Sequence, residues 1–123
     1  MGMDPKLKRK RKERRHKHIL KRMFGTATKP RVIVYRSLRH FYVQAVDDER
    51  GVVITGASTL SPEIRSDIRY GGNKEAAAKV GELMAKRLRE RNIKEICFDR
   101  AGYRYHGRVK ECAEAMRKGG IKF

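Results

Sequence analysis

The chain has 123 residues and carries 32 Lys or Arg against 14 Asp or Glu, a formal net charge of +18. Repulsion at that density opposes compaction, so the excess serves a polyanion, and nucleic acid is the natural one because each neutralised phosphate releases counterions. No apolar run approaches the ~20 residues of a membrane span, and Cys97, Cys112 and four scattered histidines supply neither a disulfide framework nor a zinc site.

The two cysteines read as buried reduced thiols of a cytosolic protein. The N-terminus is basic without an apolar segment behind it, unlike a secretory signal, and Lys6 stands where a myristoylation site wants Ser or Thr. No cofactor, membrane or small-molecule substrate is expected.

Residues 1–29 form the first region, a basic tail with 12 cations against Asp4 and Glu13. Lys8, Arg9, Lys10, Arg11, Lys12, Arg14 and Arg15 give seven cations in eight positions, and Lys17, Lys21 and Arg22 continue the run. The segment lacks Gly and Pro from Lys6 to Arg22, yet like charges oppose a free helix, so it reads as disordered alone and partly helical once phosphates screen it. A nuclear-import signal fits the same residues. Residues 30–123 hold the remaining 20 cations and 12 acids, a length suited to one globular α/β domain.

Arg31–Arg36 and Arg39–Val46 are β-branched and aromatic runs around a turn at Ser37-Leu38, and Val52–Thr59 follows a second turn at 47–51. A two-residue loop at Ser37-Leu38 pairs Val34 with Phe41 and Val32 with Val43 on an apolar face. The other face then sets Tyr35 across from His40, Ile33 across from Tyr42 and Arg31 across from Gln44. Residues 60–72 form a loop, and Asn73 caps a helix to about Arg91 with Ala77, Val80, Met84 and Leu88 in one stripe. Lys94–Asp99 is a short strand. Arg108–Lys118 is a second helix with Val109, Cys112, Ala113 and Met116 inward, stopped by Gly119-Gly120, and 121–123 adds a last short strand. Right-handed crossovers give a mixed sheet of order 3-2-1-4(-5) with both helices on one face. The face with Tyr35, His40 and Tyr42 then either meets RNA or packs under the loop 60–72.

The segment from Cys97 to Lys110 is the densest in chemistry. Arg100, Arg104, Arg108 and Lys110 suit phosphates, and Tyr103, Tyr105 and His106 carry rings that stack on unpaired bases. Gly102 and Gly107 let backbone amides approach an oxygen, and the helix start adds free N–H groups. A nuclease built on Asp47, Asp48 and Asp99 is the competing enzymatic reading. Against it, Asp47 and Asp48 lie at a turn, and Asp99 is better placed to orient Arg100 or cap loop amides. A sequence-tolerant nucleic-acid chaperone is a third reading.

The run Phe98-Asp99-Arg100-Ala101-Gly102-Tyr103-Arg104-Tyr105-His106-Gly107-Arg108-Val109-Lys110 resembles the signature of the eighteenth large-subunit ribosomal protein family in its bacterial form. The likeness extends through 36–44, Ala57-Ser58-Thr59, 72–77 and the Gly-Gly-Ile-Lys-Phe ending, about residues 5–123 in all. It implies a non-enzymatic structural protein of the large subunit, at work on cytoplasmic ribosomes. Its implied partners are 5S rRNA, the 23S rRNA to which it helps attach 5S rRNA in the central protuberance, and neighbouring ribosomal proteins. It also implies a ribonuclease-H-like topology without catalysis. Ala101 stands where the family commonly has Gly, which argues against a positive φ there. Beyond the tail cations and the loop residues named above, the expected RNA contacts are Arg31, Arg36, Ser37, Arg39, His40, Tyr42, Gln44, Ser58 and Asn73.

Overall fold

The computed structural model describes residues 23–123, so the expectations for residues 8–22 of the tail lie outside the described residues. Its elements are β1 (Arg31–Arg36), β2 (Phe41–Asp47), β3 (Val52–Ser58), α1 (Lys74–Glu90), β4 (Cys97–Asp99) and α2 (Gly107–Lys118). The four strands form one sheet of order β3-β2-β1-β4, antiparallel except for the parallel pair β1–β4. Among the described residues, no helix is long and apolar enough to cross a membrane.

Period-two alternation in β1 and β2 sends Val32, Val34, Phe41, Val43 and Ala45 to one face, where all are at most 1% exposed. The helical stripes meet them there: Ala77, Val80, Met84 and Leu88 from α1, and Val109, Cys112 and Met116 from α2. Gly81 lets the two helices close up, since a Cβ on it would lie 2.4 Å from the Cys112 carbonyl oxygen. Asn73 caps α1 as expected, its side-chain oxygen accepting the Ala76 N–H at 2.9 Å.

The structure corrects the register, the bounds of the last strands and the burial of one cysteine. The β1–β2 register is Arg36 to Phe41, Val34 to Val43 and Val32 to Ala45, so Tyr35 faces Tyr42 and Ile33 faces Gln44. The turn is centred on Leu38-Arg39, one residue later than read from the sequence, with Ser37 N–H bonded to the His40 carbonyl at 3.0 Å. The faces survive because the slip is an even number of residues. β4 begins at Cys97 rather than Lys94, because the stretch before it meets only the single parallel bridge Glu95–Lys122. That bridge replaces the expected terminal strand. Finally, Cys112 is buried as read, but Cys97 is only half-buried.

Burial pushes the Cys112 thiol up to about 12. One thiol, Cys97, should therefore react quickly with an aromatic disulfide reagent in the native protein, and the second only on unfolding. Two thiols reacting at equal rates under native conditions would contradict this packing.

Candidate nucleic-acid interface

The loop 100–106 leaves β4 through a backbone that its sequence disfavours. Ala101 has φ 54° and Gly102 φ 83°, so the expectation drawn from Ala101 is wrong. Left-handed geometry costs an alanine about 1–2 kcal/mol. Asp99 offsets it locally: its Oδ1 accepts the Ala101 N–H at 2.8 Å, the loop-capping role expected for it. Its Oδ2 accepts from Arg31 Nη1 at 2.7 Å, where the sequence reading offered Arg100 as the partner.

Arg31 therefore sits between two carboxylates. Its Nε and Nη2 hold Asp48 at 2.9 and 3.0 Å, and Asp48 also accepts the Gly25 N–H at 2.7 Å. Asp47 instead accepts the Glu49 and Arg50 amides through Oδ1, ordinary turn chemistry. The carboxylates that a two-metal nuclease would cluster are thus split, two onto a guanidinium and one onto a turn. Among the described residues no group of three or more His, Cys, Asp or Glu could hold a metal ion.

The Arg31 guanidinium holds the Asp48 carboxyl below its ordinary value. A depressed folded-state pKa adds stability above pH ~4 that disappears as acid protonates Asp48. Stability should fall between pH 5 and 2, and Asp48→Asn should flatten that acid limb. An equally steep limb in the variant would contradict this role for the pair.

The loop docks on the β1–β2 turn. Arg108 Nη1 donates to the carbonyls of Ser37 at 2.7 Å and His40 at 3.3 Å. The His40 N–H, which in a regular turn would use the Ser37 carbonyl, bonds Ser37 Oγ at 3.1 Å. On the other side the Arg36 guanidinium lies 4.7 Å from the centre of the half-buried Tyr103 ring. Tyr105 is held against α2, its hydroxyl donating to Glu114 at 2.8 Å and accepting from Arg117 at 2.8 Å. Desolvation raises the Tyr105 pKa, so its hydroxyl stays protonated at neutral pH.

What remains exposed around this frame is mostly cationic. Arg100, Arg104, His106 and Lys110 are exposed on the loop and first turn of α2, as are Arg36, Ser37 and Arg39 on the turn. The N-cap residue of α2, His106, makes no side-chain cap bond, and Gly107 has φ 57°. His40 shares a 2.9 Å hydrogen bond with Thr59 Oγ1 and lies edge-on to Tyr42 at 6.2 Å. Tyr35 is 44% exposed, and Gln44 is exposed while Tyr42 and Ser58 are half-buried. Ser58 Oγ accepts the Leu60 N–H at 3.1 Å.

So the expected contacts divide. The Arg31 guanidinium and the Asn73 side-chain oxygen are engaged within the protein, Arg108 is a tie to the turn, and Arg100, Arg104, His106 and Lys110 are exposed. Sequence reasoning missed the segment 70–72, which also packs on the turn. The Tyr70 hydroxyl donates to the Leu38 carbonyl at 3.0 Å, and Gly71 approaches Arg39 and His40. It also missed Arg117, whose spacing of three from Glu114 on α2 is the one sequence signal it carries.

Arg104→Ala should leave the melting temperature within a degree or two, whereas Arg108→Ala should cost about 1 kcal/mol by taking the donor from the Ser37 carbonyl and one of two donors from the His40 carbonyl. Thermal unfolding of both checks this, and equal stability of the two variants would contradict the tie.

Residues 6–123 match the family described as ribosomal L18 of archaea, bacteria, mitochondria and chloroplast. The chain belongs to that family. It is 52% identical over 112 residues to the large ribosomal subunit protein uL18 of Pelotomaculum thermopropionicum, covering 91% of this chain and 92% of the relative. It is 46% identical over 124 residues to uL18 of Caldicellulosiruptor saccharolyticus, covering all of both. Membership in the L18 family makes the chain a structural constituent of the large ribosomal subunit, and so a ribosomal protein of the translation machinery.

Proposed function

We propose that this L18-family protein binds 5S rRNA and helps attach it to 23S rRNA in the central protuberance, without catalysis. One observation carries the reading: a loop hydrogen-bonded at its root to Asp99 and followed by the Arg108 tie to the turn presents Arg100, Arg104, His106 and Lys110 to solvent beside the exposed turn Arg36–Arg39. Cations held on a fixed frame read the shape and phosphate spacing of a folded RNA, because the protein spends little on ordering itself. Neighbouring subunit proteins complete the environment.

In this reading the chain divides at residues 29 and 30. Tail cations from Lys8 to Arg22 supply long-range affinity, and the remainder supplies selectivity. Tyr35, Tyr42 and Gln44 extend the surface across the helix-free side of the sheet.

Filter binding tests the proposal. The full chain should hold 5S rRNA at least tenfold more tightly than an unrelated RNA of equal length, and Arg104→Ala should weaken 5S binding about tenfold by removing one charge-assisted phosphate contact. Indifference to the RNA, or an Arg104→Ala variant with parental affinity, would overturn it.

A further inference from the structure

We propose that Asp99 is a positioning residue that sets the loop 100–106 in its RNA-binding conformation before RNA arrives. The inference rests on the RNA-binding reading above and deepens it by saying how that surface is kept ready. Asp99 is 0% exposed and so cannot meet a phosphate itself. Its two oxygens act in different directions. Oδ1 holds the Ala101 amide at 2.8 Å, and Oδ2 holds Arg31 at 2.7 Å. Arg31 is in turn fixed by both oxygens of Asp48, which is itself bonded to the Gly25 amide. The root of the loop is therefore tied through one buried carboxylate to β1 and to the turn after β2.

That tie matters because Ala101 and Gly102 are consecutive left-handed residues, with φ 54° and 83°. An alanine keeps such a conformation only where its surroundings hold it there. From it the chain closes the turn in which Tyr103 N–H meets the Arg100 carbonyl at 2.9 Å, and so brings Tyr103 under Arg36. A loop left to find this path on binding would reach the same phosphate contacts but take the ordering cost out of its affinity. Loss of Asp99 should then lower the binding constant without changing its salt slope, whereas loss of a phosphate-contacting cation changes the slope by nearly one.

The test compares full-length parent, Asp99→Asn, Asp99→Ala and Arg104→Ala. It reads amide hydrogen exchange at Ala101 and Tyr103 in the free protein, then binding to 5S rRNA across salt concentration. Asn keeps an oxygen for the Ala101 amide while removing the negative charge that faces Arg31, and Ala removes both the oxygen and the charge. For Asp99→Ala, protection of the two amides should fall at least tenfold and RNA affinity about tenfold, with an unchanged slope. Asp99→Asn should lie between Ala and parent. Unchanged protection overturns the proposal, as does lost protection with full affinity, or a slope that drops as it does for Arg104→Ala. Should Asp99→Ala fail to fold, Asp99→Asn decides on the same two readouts. A parent that binds unrelated RNA as well as 5S rRNA would contradict the functional reading alone. The exchange data, and the same affinity comparison on whichever RNA binds, would still decide the role of Asp99.

Discussion

Removing residues 1–22 should weaken 5S rRNA binding by roughly three orders of magnitude at physiological salt and flatten its salt dependence by about 4 to 5 units of slope. The deletion takes away 11 cations and two acids. If six of those cations meet phosphates, coefficients of about 0.7 to 0.9 per contact give that change in slope. The packing should survive, because Gly25 and everything after it, including its bonds to Asp48, remain. Titrations of full-length and truncated protein at several salt concentrations measure the effect. Parallel lines would mean that the tail does not neutralise phosphate.

Gly71→Ala should destabilise the fold by about 2–3 kcal/mol, a fall of roughly 10 °C or more in melting temperature. A Cβ at Gly71 would lie 2.2 Å from the Arg39 carbonyl oxygen and 3.2 Å from His40 Nδ1. Neither neighbour can yield freely, since His40 is bonded to Thr59 and the turn is pinned by Arg108. The segment 70–72 must therefore lift away, taking the Tyr70 bond to Leu38 with it. RNA affinity should fall as well, because the turn is half of the proposed surface. A variant that melts with the parent would show the turn to be softer than this packing implies.

The element order and both helical stripes were legible in the sequence because they follow from local periodicity. Asn73 capped the expected helix for the same reason: an N-cap is a contact three residues long. What could not be read was decided by distant partners. The β1–β2 turn lies one residue later, where Ser37 Oγ within the turn and Arg108, 71 residues further along the chain, divide its hydrogen bonds between them. Ala101 took a positive φ because Asp99 supports it, and no propensity of alanine announces that. Arg31 looked like one more phosphate ligand, yet Asp48 from the turn after β2 and Asp99 from the end of β4 both bind it. The exposed cations of the 97–110 segment were legible as a group from their density. Which of them are ties and which face outward was not, because that depends on where the neighbouring turn lies.

Selectivity of residues 23–123 tests the central claim most directly. Binding to 5S rRNA and to an unrelated RNA of equal length would be measured at raised salt, where the contribution of diffuse charge is small. The account predicts that the shortened protein, though weaker, keeps at least a tenfold preference for 5S rRNA. Equal binding to the two RNAs would place recognition in the tail and contradict the role assigned to the loop and turn.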